Sequence, residues 1–351
     1  MRRGIPRLRI TGSLLLCLLA AACSSQAPPT APPASPTPAV QLEEPLRGAL
    51  SRWNYYRESA GVPPITTDAA LSEAARMHSK YLVKNHIQGP NAFVERGAIR
   101  DVLANPGVRA ESAGNPWYTE AGEKAAERAY IIRTDTLAQS GAPIVDKMIS
   151  RGLNVLPMLD PQAAAIGYGQ YCENRDCVVT ISWKLGLTRD QFLSIYDASR
   201  FAWNPRLGEM PFTIARLRRP IFFPSAGTQA AASFDGAAKP DLLTSCGYHE
   251  PSGIPIALEL GAAVSGHDEV KVSSYSVSDN GVEIESCAFD AATYKNPDGY
   301  QQRMARWYLH SFGAAMIIPR DPLKPGHTYT VAVTADNQPY TWSFSVAPDA
   351  K

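Results

Sequence analysis

Few residues in this chain have the type and spacing to do chemistry. Of its six histidines, His249, His267, His310 and His327 share no spacing and read as surface residues. His78 belongs to an apolar stripe of Leu71, Ala74, Ala75, Tyr81 and Leu82 that recurs at i, i+3, i+4 and i+7, so it reads as a core histidine with a satisfied ring. His86 follows the same stripe, where an imidazolium would meet the negative end of a helix dipole. Glu111, within Ala110-Glu111-Ser112-Ala113, reads as the cap of a following turn. Covalent catalysis finds no support: there is no G-x-S-x-G elbow, no H-E-x-x-H helix and no S-x-x-K with its β-lactamase partners. Gly167-x-Gly169 sits in strand-like sequence rather than at a strand-to-helix turn, so it makes no phosphate loop.

The cysteines divide by compartment. Arg2, Arg3, Arg7 and Arg9 form a basic start, residues 10–22 are apolar, and small residues lead to Cys23. An apolar run this short falls below the roughly 20 residues that span a bilayer, so residues 1–22 are expected to be a signal peptide. The sequence before Cys23 resembles the lipobox of bacterial lipoproteins, which implies a lipidated Cys23. It also implies a lipid-anchored protein of the bacterial cell envelope, sorted to the outer membrane where there is one. Cys17 leaves with the signal. Cys172, Cys177, Cys246 and Cys287 remain, an even number in an oxidising compartment, and proximity pairs Cys172 with Cys177 and Cys246 with Cys287. The rival reading, a metal site, lacks any CxxC pair. Charge recruits no nucleic acid: 34 Lys and Arg face 33 Asp and Glu, or 30 against 33 without the four signal arginines.

The elements that must position these residues follow from composition and period. Residues 23–41 are rich in proline, a lipidated start and extended tether. Leu46, Leu50, Trp53 and Tyr56 keep a near-helical period up to Gly61 and Pro63-Pro64. A second helix starts after Asp68, and residues 120–138 and 144–151 read as further helices. Two strands then flank residues 173–176, a hairpin that the Cys172–Cys177 pair would pin. Residues 42–187 are thus expected to form an α+β domain and residues 188–219 a linker. Residues 220–351 are expected to be all-β, with Asn280-Gly281 as the strongest hairpin signal. The run Leu323-Lys324-Pro325-Gly326-His327-Thr328-Tyr329 resembles the tyrosine corner of immunoglobulin-like sandwiches, with Tyr329 bonding back to the backbone.

Residues 71–86, Met158-Leu159-Asp160-Pro161 and Ile166-Gly167-Tyr168-Gly169 together resemble the CAP superfamily of cysteine-rich secretory, antigen 5 and pathogenesis-related proteins. Asn54, Arg57, Gly61, Val62, Pro63 and Pro64 fit the start of its bacterial members. The resemblance implies an α-β-α sandwich and, in some members, a cavity of two histidines and two acids that holds zinc or another divalent ion. Carried over by residue, His86 takes the first histidine position and Glu111 an acidic one, while Asn154 replaces the second histidine. An Asn carbonyl is a poor zinc ligand beside imidazole, so no cofactor is expected. The expected function is a non-catalytic binding or structural module at the envelope. Its partners would be a cell-wall polymer, a hydrophobic small molecule or an envelope protein. One alternative is a divalent-metal-dependent hydrolase or protease using His86 and Glu111 with Glu95, Asp101 or Glu120. The other is an adhesin-like protein acting through the β-sandwich.

Overall fold

A computed structural model describes residues 43–87, 110–197, 216–234, 239–261 and 270–349. The expected signal, Cys23, the tether, Glu95, Asp101 and His267 lie outside the described residues. Residues Leu42–Lys351 form one compact unit.

The first part is built from α1 (Leu46–Ser59), β1 (Thr66–Thr67), α2 (Ala69–Lys84), α3 (Glu120–Glu127) and β2 (Ala129–Thr134). It continues with α4 (Ala142–Ile149), α5 (Val155–Leu159), β3 (Ala163–Glu173) and β4 (Asp176–Leu185). The sheet order is β1-β3-β4-β2, with β1 parallel to β3 and the rest antiparallel. Asp68 opens α2 by accepting the Leu71 N–H at 2.9 Å. Asn174 and Arg175 turn the β3–β4 hairpin with positive φ angles of 51° and 66°, placing Cys172 opposite Cys177 in a disulfide.

Gly167 and Gly169 explain how α2 lies so close to β3. A Cβ on Gly167 would meet the backbone of Leu71 and Ser72, and one on Gly169 the backbone of Arg76. Without those side chains the helix settles on the strand, and Ser79 Oγ donates to the Gly169 carbonyl at 3.2 Å.

Two readings of the sequence need correction. The helix expected over residues 120–138 stops at Glu127, and the chain enters β2. The run Tyr130-Ile131-Ile132 is aromatic and β-branched, and its burial against β4 outweighs helical continuation. The carboxy-terminal half is also not all-β. A 14-residue helix, Gly299–Phe312, is capped by the Asp298 carboxylate on the N–H groups of Tyr300 and Gln301 and ended by left-handed Gly313. It buries Gln301, Met304, Ala305, Tyr308 and Leu309, a regular helical stripe.

Two larger sheets and a two-stranded one, Ser233–Phe234 with Ser252–Gly253, make up the rest of this half. One has four strands, Ser286–Phe289, Ala314–Pro319, Ile256–Glu259 and Ile221–Phe223 in spatial order. The other has five, Val282–Ile284, Val272–Asp279, Thr328–Ala335, Gln338–Val346 and Gln229–Ala230. Asn280 and Gly281 turn the 272–284 hairpin, a Cys246–Cys287 disulfide joins a short helix to the first sheet, and Tyr329 Oη accepts the Lys324 N–H at 2.8 Å. The chain is therefore mixed helix and sheet. Residues 188–219 include a helix, Arg189–Ile195, and a strand pair, Tyr196–Asp197 with Arg216–Leu217.

The apolar core does not stop at residue 187. Trp53, Met158 and Leu159 of the first part share one cluster with Ile256, Leu258, Met304 and Leu309 of the second.

Candidate functional site: a buried histidine and carboxylate

α2 and the segment leading into α3 bring His78 and Glu111 together. His78 lies on the inner face of α2, and its Nδ1 is 2.9 Å from Glu111 Oε1, with both side chains fully buried. The other carboxylate oxygen, Oε2, accepts the Thr119 N–H at 2.8 Å. Thr119 is the N-cap of α3, its Oγ1 accepting the Gly122 N–H at 3.0 Å, so the carboxylate rests at the positive end of that helix. Gly122 leaves it room: a Cβ there would come within 2.5 Å of Glu111 Oε1. Tyr81, one turn after His78, stacks near its ring at 6.4 Å and accepts the Ser112 N–H at 3.0 Å on its hydroxyl. Three of these bonds fasten residues 111–119 to α2 and to the start of α3, and the fourth, from Thr119 to Glu111, closes the segment on itself.

The structure corrects the expectation for His86. α2 ends at Lys84, and Asn85, not His86, caps it by donating Nδ2 to the Tyr81 carbonyl at 2.8 Å. His86 then turns left-handed with φ 49° and is exposed. The histidine that meets Glu111 is His78, two helical turns earlier on the buried face. Asn154 is buried at the end of a 3₁₀ turn, Gly152–Asn154, and among the described residues no hydrogen bond joins it to Glu111, His78 or His86. Glu120 points outward in the first turn of α3 and pairs with Lys124 at 2.6 Å.

These donors do not fit a metal ion. Glu111 spends one oxygen on His78 and the other on a backbone N–H, and neither side chain reaches solvent. Among the described residues no group of three or more His, Cys, Asp or Glu converges. What the arrangement can do chemically is hold a loop.

A second buried charge was missed in the sequence. Arg57 of α1 is fully buried and donates to the carbonyls of Pro63 at 2.7 Å, Met158 at 2.9 Å and Asp160 at 2.8 Å. Burial pulls its guanidinium down to about 10, while Asp160 and Glu259 push it back up. Glu259, from the Ile256–Glu259 strand, is 2% exposed, and among the described residues its Oε1 has no hydrogen-bond partner. Burial raises its carboxyl well above the ordinary range, the nearby Asp160 adds to that, and Arg57 opposes it. Asp160 is also raised, mainly by burial. The Asn-x-x-Arg spacing of Asn54 and Arg57 was visible, but not the glutamate some 200 residues away that answers it.

No curated protein matches the chain. Residues 50–182 match the cysteine-rich secretory protein family, CAP. That stretch contains α2, the His78–Glu111 contact and most of the β1-β3-β4-β2 sheet, and the match makes residues 50–182 a CAP domain.

Proposed function

We propose that the chain is a lipid-anchored protein of the bacterial cell envelope whose CAP domain is a non-catalytic binding or structural module. The observation that carries this reading is the enclosure of Glu111. The acid that the family resemblance would put in a reactive cavity is consumed by His78 and the Thr119 N–H. A general acid or base must reach the proton it moves, and this carboxylate is fully covered. The anchor rests on the lipobox-like approach to Cys23 and the proline-rich residues behind it. The carboxy-terminal half is read as an immunoglobulin-like sandwich carrying an extra helix. Apolar side chains from both of its sheets, such as Val331 and Phe344 with Ile317 and Leu258, enter one core, and Tyr329 makes the backbone bond of a tyrosine corner.

The test uses the full-length protein and its Cys23→Ser variant in detergent phase partition, beside hydrolysis of casein and short p-nitrophenyl esters with added zinc. The reading expects the first protein in the detergent phase, the second in the aqueous phase, and no turnover from either. Aqueous partition of both would remove the anchor, and zinc-dependent turnover would remove the non-catalytic assignment.

A further inference from the structure

A cleft of about 590 Å³ opens where α1 and α4 face the carboxy-terminal half. Its floor is a fixed polar network. Asp146 Oδ1 accepts the Tyr56 hydroxyl at 2.7 Å and is paired with Arg52 Nε, while Arg52 Nη2 donates to Tyr56 Oη at 3.0 Å. The Arg52 guanidinium lies over the rings of Tyr55 and Tyr56, at 4.6 and 4.7 Å. Both donors converge on one carboxylate oxygen. Among the described residues Oδ2 of Asp146 has no bond, and the Asp146 side chain is 44% exposed. Tyr55 leaves 40% of its surface exposed at the rim, and Thr228 and Gln229 add polar groups on the opposite wall.

These groups select among ligands by chemistry. An acyl chain would strip water from Asp146 without replacing its hydrogen bonds. A phosphate would meet a guanidinium already neutralised by a carboxylate. A polyhydroxylated ring suits the site better: one hydroxyl donates to Asp146 Oδ2, its neighbour accepts from Arg52, and the C–H face of the ring lies against Tyr55. The volume falls within the 300–1,000 Å³ or so usual for small-ligand pockets.

We propose that this cleft is a saccharide-binding subsite shared by the CAP domain and the carboxy-terminal half, with Asp146 and Arg52 gripping adjacent hydroxyls and Tyr55 stacking on the sugar. The inference rests on the binding-module reading and names its ligand class. A glycan of the envelope is the natural source of such a ligand for an anchored protein.

The experiment is titration of the full-length protein, in a detergent without a sugar headgroup, with tetrasaccharides of N-acetylglucosamine, glucose and galactose. At least one is expected to bind, with Kd raised tenfold or more in Asp146→Asn and in Tyr55→Ala and unchanged in Val282→Ser on the remote hairpin. Melting curves exclude unfolding, and Tyr55→Ala, at an exposed position, keeps the test valid should Asp146→Asn lose stability. Absence of binding to all three, or binding indifferent to both variants, overturns the subsite and leaves the module reading intact. Cleavage of a bound tetrasaccharide supports the subsite and contradicts the non-catalytic reading instead.

Discussion

Two buried charged clusters of this molecule solve the same problem differently. At His78–Glu111 each carboxylate oxygen has a donor, and all the groups come from α2 and the segment entering α3. At Arg57–Asp160–Glu259 the guanidinium spends its hydrogen bonds on backbone carbonyls, and one oxygen of Glu259 stays unmatched. A satisfied buried pair stabilises one geometry, whereas a half-satisfied one costs free energy and responds to pH. The first cluster is therefore an internal fastening of the CAP domain. The second brings α1, the end of α5 and a strand of the carboxy-terminal half into one core that holds a carboxyl with an unmatched oxygen.

Replacing Arg57 should have the largest effect. Arg57→Leu removes the guanidinium's bonds to the Pro63, Met158 and Asp160 carbonyls and the positive charge that faces Asp160 and Glu259, and a loss of about 4 kcal/mol is expected in denaturant unfolding. A loss under about 1 kcal/mol would mean that the cluster is not holding the halves together. Glu111→Ala comes next, at about 3 kcal/mol, because it takes the carboxylate from the buried His78 Nδ1 and from the Thr119 N–H. The double variant with His78→Ala should lose clearly less than the sum of the singles, the sign of a mutual interaction. Additive losses would show that His78 and Glu111 stabilise independently.

Glu259→Gln should sharpen the contrast with a smaller effect of opposite sign. The native Glu259 carboxyl keeps its proton above the ordinary value of 4.5. Between that value and its raised native value the folded state binds more protons than the unfolded one, so this contribution to stability is full below about 4.5 and declines as pH rises through the window. Gln cannot ionise. At pH 8 the variant should be the more stable, and at pH 4 the difference should vanish. An equal offset at both pH values would show that Glu259 is not the titrating group.

What the sequence made legible was local. The α2 stripe, the Asn280-Gly281 turn and both disulfides depend on neighbours or on chemistry that proximity favours. The Gly299–Phe312 helix carried its own signal, an Asp cap, a stripe at residues 301, 304, 305, 308 and 309, and a closing glycine, yet strand-like flanks obscured it. Residues 129–134 fit either period, and only pairing with β4 decides for a strand. The His78–Glu111 contact lies across 33 residues, and no spacing rule chooses His78 over His86. What decides is that His78 lies on the buried face of α2, whereas His86 follows a left-handed turn into solvent. Arg57 comes within electrostatic reach of Glu259, and α1 meets residues 223–231 across the cleft, only once both halves are folded.

The central claim is that Glu111 serves the fold and not a metal. It is tested most directly by zinc and calcium titration calorimetry on the full-length protein beside Glu111→Gln and Asn154→His. No saturable heat is expected from the natural chain. Zinc binding at micromolar affinity or tighter, abolished by Glu111→Gln, would contradict it.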